Sequence, residues 1–363
     1  MQKCHWVAAV SVLGVSIALG GCARDPEKRS VSELAVSGTK SLLRTDSDMQ
    51  KLLHKFASFD AKAIEKTTPQ EARQQPTMAA AVKGVLEDQK RSSSPESLVP
   101  GVTTREISIP SPSGSMPATV YTPPGNGPHP AVLFFHGGGW VIADRKVYDG
   151  GARGLAKQAD AVVVSVDYRL APEHKFPAAH DDALAAYRWL ARNAASVGGD
   201  PERLALAGES AGGNLAVATA IGARDAGLTA PKHVLSVYPV AQSSTDTASY
   251  LKYADAMPLN RPMMLWFIGQ VTSSPADVQD PRINLVKADL HGLPPVTIIN
   301  AEIDPLRDDG AQLEQALRTA GVAVDRKVYD GVTHEFFGTA AVVKKAEDAQ
   351  AYAGQRLKTD LAK

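Results

Sequence analysis

The chain has 363 residues, 39 Lys+Arg against 39 Asp+Glu, and is 44 % hydrophobic and 21 % charged. That is an ordinary globular composition, long enough for one large α/β domain or two small ones. The balanced charge leaves no electrostatic footprint for nucleic acid, the apolar content leaves no room for a multi-span membrane protein, and two cysteines, Cys4 and Cys22, exclude a four-cysteine zinc site.

The opening MQKCHWVAAVSVLGVSIALGGCARDPEKRS has a basic start at Lys3, an uncharged apolar stretch from Trp6 to Leu19, then small residues. This is the grammar of a secretory signal, and the stretch falls short of the ~20 residues a spanning helix needs. Leu19-Gly20-Gly21-Cys22 resembles a bacterial lipobox. Residues 1–21 are therefore expected to be a lipoprotein signal peptide, with Cys22 the site of lipid attachment. A plain signal peptide cut nearby is the alternative. Ala23 after the cysteine implies outer-membrane sorting, so the expected location is the bacterial envelope, exported and lipid-anchored, facing the periplasm. With Cys4 discarded and Cys22 modified, cysteine catalysis is excluded. Residues 22–48 are polar and read as a flexible tether.

Met49, Leu52, Leu53 and Phe56 follow i, i+3, i+4, i+7 and predict an amphipathic helix; a second helical stretch covers about Pro76 to Gln89. Beyond Val102, β-rich runs alternate with helical patterns. The runs are Arg105–Ile109, Ala118–Tyr121, Ala131–Phe135, Val162–Val166, Leu204–Ala207, Val234–Tyr238, Val296–Asn300 and Val324–Tyr329. Several are continuously apolar, as strands covered on both faces must be. Ala178–Asn193, Ala211–Arg224 and Arg307–Ala320 have helical length and composition. This alternation predicts a mostly parallel sheet with helices on both faces.

Gly208-Glu209-Ser210-Ala211-Gly212 follows one apolar run and opens a helical segment. A strand that turns into a helix through a serine needs small residues on either side, and it pushes the hydroxyl out at the carboxyl end of the sheet. The amides and dipole of the new helix then face any charge that develops at Ser210. Another run leads into His136-Gly137-Gly138-Gly139-Trp140. Three consecutive glycines pack nothing and cost conformational entropy, so they point to backbone N–H groups that approach a ligand closely. G-x-S-x-G arises by chance in about one chain in six and H-G-G-G in on the order of one in two hundred, so the glycine loop is the stronger signal. For acyl transfer the ligand is a tetrahedral oxyanion, and the candidate donors are the Gly137, Gly138 and Ala211 amides.

A serine nucleophile needs a base active near neutral pH and a carboxylate to fix its tautomer. Of the histidines after Ser210, His233 precedes a strand and His291 lies in a loop before Pro294-Pro295. His334 follows a strand by a few residues. The candidate acid is Asp304, which Pro305 keeps in a loop before a helix; Glu302 and Asp308 are its rivals. His136 is expected to hold its loop, and Asp167, Arg169 and Glu173 to be structural.

These motifs resemble the bacterial hormone-sensitive-lipase family (family IV) of esterases. They are HGGGW at His136–Trp140, DYRLAPEHKFPAAHDD at Asp167–Asp182, GESAGG at Gly208–Gly213, DPRI at Asp280–Ile283, LPP at Leu293–Pro295 and DPLRDDG at Asp304–Gly310. TPQEAR at Thr68–Arg73 is similar to a cap-region signature of the same family, and the resemblance runs from about Met49 to the end. It implies an α/β-hydrolase over residues 49–363 with a mostly parallel eight-stranded sheet. It also implies a helical cap, built from amino-terminal helices at about 49–91 and from an insertion after Tyr238-Pro239. The triad it implies is Ser210, Asp304 and His334, without cofactor or metal. One departure is Glu335, where the residue after the histidine is commonly Gly.

The expected function is a serine carboxylesterase acting on small or short-acyl esters through an acyl-enzyme. An envelope acetylesterase for acetylated sugars or polymers is the alternative, and a non-catalytic ligand-binding member of the fold a further one. Trp140, Trp266, Phe336 and Phe337 are expected either to narrow the substrate pocket or to be core. The expected partner is a small-molecule ester, with no nucleic acid and with membrane contact only through the lipid anchor.

Overall fold

Unbroken apolar runs such as VLFF and VVVSV can sit only where both faces are covered, and they form the middle of the sheet. A computed structural model describes residues 44–363; the expected signal peptide, Cys22 and all but the last residues of the expected tether lie outside the described residues. The strands are β1 (Thr103–Ser111), β2 (Gly114–Thr122), β3 (His129–Phe135), β4 (Val162–Val166), β5 (Gly199–Glu209), β6 (His233–Val237), β7 (Val296–Ile303) and β8 (Val324–Thr333). They pair in the order β1-β2-β4-β3-β5-β6-β7-β8. β1 and β2 form an antiparallel hairpin and β2 is antiparallel to β4; every later pair is parallel.

Among the described residues four α-helices precede the sheet: α1 (Ser47–Ala57), α2 (Pro69–Ala72), α3 (Met78–Asp88) and α4 (Pro95–Leu98). The others are α5 (Asp149–Ala159), α6 (Ala178–Asn193), α7 (Ala211–Asp225), α8 (Ala248–Lys252), α9 (Arg261–Val271), α10 (Arg307–Thr319) and α11 (Lys344–Leu361). Side chains alternate across a strand, and β3 shows what that does to the core. Val132 and Phe134 pack with Leu155 of α5 and Ala349 of α11, whereas Leu133 and Phe135 pack with Ala183 of α6 and Leu215 of α7.

Two segments close over the carboxyl end of the sheet. One is the amino-terminal group α1–α4; the other is the stretch between β6 and β7 that carries α8 and α9. Met49, Leu52 and Leu53 of α1 are buried with Met78, Ala81 and Val85 of α3. α2 begins with a capping box, in which the Thr68 side chain and Glu71 satisfy each other's end of the turn. At its far end Arg73 grips Glu173 through both terminal guanidinium nitrogens, at 2.9 and 2.7 Å, and donates to the Val141 and Ala171 carbonyls. The TPQEAR stretch is thus a clasp between the amino-terminal helices and the loop after β4.

The folded body starts earlier than the expected boundary at residue 48. The Asp46 N–H donates to the Gly331 carbonyl at 2.8 Å, Lys345 pairs with the Asp46 carboxylate at 2.7 Å, and Arg44 pairs with Glu302 at 2.9 Å. No described helix is long and apolar enough to cross a membrane.

Candidate active site

β5 ends at Glu209 and α7 begins at Ala211, so Ser210 is the whole of the turn between them. Its φ of 57° and ψ of −117° lie outside the ordinary regions for an L-residue, a strain of about 1–3 kcal/mol that the surroundings must hold. Its neighbours show why the turn needs glycine: a Cβ on Gly208 would stand 2.1 Å from the Gly212 carbonyl oxygen, and one on Gly212 would stand 2.0 Å from that of Phe135. The Ser210 N–H donates to the Val237 carbonyl at 2.8 Å, which fastens the turn to the end of β6.

Asp304 is the first residue after β7 and His334 the first after β8. All three side chains therefore leave the same edge of the sheet. His334 Nε2 lies 2.9 Å from Ser210 Oγ, and His334 Nδ1 lies 2.7 Å from Asp304 Oδ2. The Leu306 N–H donates to the other carboxylate oxygen of Asp304 at 2.8 Å. All three residues are buried. The rival acids are engaged elsewhere: Glu302 pairs with Arg44 and accepts the Gly331 N–H, and Asp308 accepts the Ser249 N–H. His233 pairs with Asp360 at 2.8 Å, and exposed His291 pairs with Asp289.

The loop after β3 lies beside the serine. Among the described residues none accepts the amide N–H of Gly137, Gly138 or Ala211. His136 steadies the loop: its ring stacks on Tyr168 at 4.3 Å and 10°, and Nδ1 donates to the Gly137 carbonyl at 2.7 Å. Burial lowers its pKa to about 4, so the ring is neutral and acts as a brace. The Tyr168 hydroxyl donates to the His136 carbonyl at 2.8 Å. Behind the serine, the Tyr238 hydroxyl donates to the Glu209 carboxyl, and the Tyr238 ring packs 4.4 Å from the His334 ring. Burial pushes Glu209 up to about 8.

A cavity of about 550 Å³ reaches Ser210 and His334. Its apolar walls come from the closing segments: Ile64 and Met78 on one side, and Leu259, Met263, Met264 and Phe267 on the other. None of the four expected aromatics lines it. Trp140 and Phe336 are core, as is Phe337, and Trp266 packs edge-on against Phe267, so the pocket alternative for these residues is corrected to packing. Phe336 lies against Tyr238 and Tyr329 instead.

Two further buried polar residues, Asn214 and Asp309, hold the chain around the site. Asn214 on α7 accepts from His180 at 3.1 Å and donates to the carbonyls of Val240 and Ile283 at 2.9 and 3.0 Å. Asp309 reads as an acid in the first turn of a helix, yet it is fully buried and accepts the Ala241 N–H and the Gln242 side chain, each at 3.0 Å. In the DYRLAPEH stretch, Arg145 binds Asp167, and Arg169 binds Asp182 at 2.8 Å. Among the described residues no group of three His, Cys, Asp or Glu side chains is placed to hold a metal ion.

Known proteins resemble this chain in sequence and fold. A family model described as alpha/beta hydrolase fold matches residues 132–338. A carboxylesterase of Mycobacterium tuberculosis, NlhH, is 41 % identical over 239 residues, covering 64 % of this chain and 75 % of its own. An ethyl acetate hydrolase of Pseudomonas putida is 37 % identical over 64 % of this chain and 75 % of its own. Among solved structures, a hyperthermophilic esterase from the archaeon Pyrobaculum calidifontis superposes with a TM-score of 0.76 at 35 % identity, covering 86 % of this chain and 96 % of its own. A thermostable esterase from Pseudomonas putida ECU1011 gives 0.78 at 32 % identity over 88 % and 98 %. The chain belongs to the hormone-sensitive-lipase family (family IV) of carboxylesterases, on the α/β-hydrolase fold.

Proposed function

We propose that Ser210, His334 and Asp304 carry out ester hydrolysis through an acyl-enzyme. The observation that carries this is the unbroken relay from Ser210 Oγ to His334 Nε2 at 2.9 Å and from Nδ1 to Asp304 at 2.7 Å. Ser210 Oγ attacks the ester carbonyl as His334 takes its proton, and the carbonyl oxygen becomes an oxyanion. The free Gly137, Gly138 and Ala211 amides stabilise that charge; losing one such donor typically costs about 3–4 kcal/mol of barrier. His334 then gives the proton to the leaving alcohol, and water repeats the sequence on the acyl-enzyme.

The compact, Met- and Phe-lined cavity supports small or short-acyl esters as substrates. The name of the ethyl acetate hydrolase relative points the same way. Ser210→Ala abolishes hydrolysis of p-nitrophenyl acetate and butyrate and labelling by a fluorophosphonate, while circular dichroism stays that of the native protein. Retained turnover in that variant refutes the assignment.

We also propose that the chain is exported and lipid-anchored at Cys22. The lipobox-like run Leu19–Cys22 supports this reading. Metabolic labelling with a fatty acid disappears in Cys22→Ser; labelling that persists there rejects the anchor.

A further inference from the structure

A second cavity, of about 620 Å³, lies beside the one that reaches Ser210. Val82, Leu86 and Leu98 give it an apolar patch along α3 and α4, while the rest of its wall is largely polar, with Lys83, Lys146, Arg153 and Glu209 among the lining residues. Neither the triad nor the free amides line it. Among the described residues, Met78, Val147 and Glu335 border both cavities and so form the partition between them.

Glu335 is the polar member of that partition, and it directly follows His334. Its φ of 63° is in the left-handed region, which glycine enters freely and a glutamate rarely does. The side chain is not loose. The Tyr148 hydroxyl, which borders the second cavity, donates to Glu335 Oε1 at 3.2 Å. A carboxyl held there opposes an alkyl chain in two ways. It occupies the gap, and a chain passing it would strip its remaining hydration without supplying a hydrogen bond. Burial raises its affinity for a proton.

We propose that Glu335 is a specificity-determining partition: it closes the substrate cavity against a second chamber that carries an apolar patch along α3 and α4, and thereby restricts the enzyme to short chains. The inference rests on the esterase reading and adds a chain-length limit with a named cause. It predicts an unusual gain. Removing one polar side chain, at a backbone position that suits glycine, joins the two spaces without disturbing a strand or helix.

The test is a series of p-nitrophenyl esters from acetate to decanoate, read as the ratio of kcat/KM for octanoate to that for acetate. In Glu335→Gly the ratio rises by on the order of tenfold. Met78→Ala opens the same partition from α3 and moves the ratio in the same direction; it decides the matter if Glu335→Gly does not fold. Ala340 lines only the second cavity, so Ala340→Phe in the Glu335→Gly background returns the ratio toward that of the unaltered enzyme. A ratio unmoved in the folded single variants overturns the proposal, as does a raised ratio that survives Ala340→Phe. Fluorophosphonate labelling keeps the two readings apart. An unaltered enzyme that is not labelled defeats the esterase reading itself, whereas labelled variants with an unmoved ratio defeat the partition alone.

Discussion

A histidine that accepts a proton from serine must present the right nitrogen, and at His334 the choice is made by Asp304. The carboxylate takes Nδ1–H at 2.7 Å and leaves Nε2 with its lone pair toward Ser210. Asp304→Asn keeps the shape but removes the charge and lets the ring bond in the wrong tautomer. We expect kcat for p-nitrophenyl acetate to fall by about 10⁴-fold, with KM little changed, in steady-state kinetics. The meeting of these residues was legible in the sequence because each stands at the end of a strand, and strand ends on one edge of a parallel sheet are neighbours. The aromatic residues near the site were not legible in the same way. Whether a tryptophan lines a cavity or fills the core depends on its backbone and neighbours: Trp140 has a φ of 60° and turns inward, and no spacing rule announces that.

At the scale of elements, the strands and α6, α7 and α10 follow from runs and periods, whereas α5, α8, α9 and α11 do not. α5 (DGGARGLAKQA) carries three glycines and so reads as a loop. The glycines serve packing. A Cβ on Gly154 would stand 2.0 Å from the Gln350 side chain of α11, and one on Gly354 would stand 2.5 Å from the Gln158 backbone of α5. The two helices thus approach through glycine on both sides, and the closeness that hides α5 from propensity is what joins it to α11. Gly354→Val should destabilise the protein by about 1–3 kcal/mol through overpacking, measured as a lower urea midpoint at constant m. An unchanged midpoint would mean that the interface yields. α9 was hidden for another reason: RPMMLWFIGQV is apolar on nearly every side, because Met264, Phe267 and Val271 are buried, Met263, Met264 and Phe267 wall the cavity, and Leu265 faces water.

For the whole molecule, buried titratable groups govern how stability responds to pH. Burial holds His136, His180 and His233 down to about 4. As pH falls from about 6.5 towards 4 the unfolded chain binds protons that the folded one refuses, and stability is lost. Burial pushes Glu209 up to about 8 and Asp309 up to about 7. The folded chain keeps those protons after the unfolded chain has released them, so stability falls as pH rises to about 8 and then levels off. Melting temperatures across pH 6.5 to 9 should show this alkaline decline, and Glu209→Gln should make it shallower; an identical slope in that variant would remove Glu209 as a cause.

The Asn214 side chain has one more consequence. Its single amide nitrogen holds Val240, where the chain departs from the sheet after β6, and Ile283, where it comes back. An excursion whose two feet stand on one anchor behaves as a cassette. α8 stays tied through Ser249 to Asp308 and the Pro305 carbonyl, beside the catalytic acid, whereas α9 can change its lining while the nucleophile's helix feels no pull, so new substrate ranges can be written there.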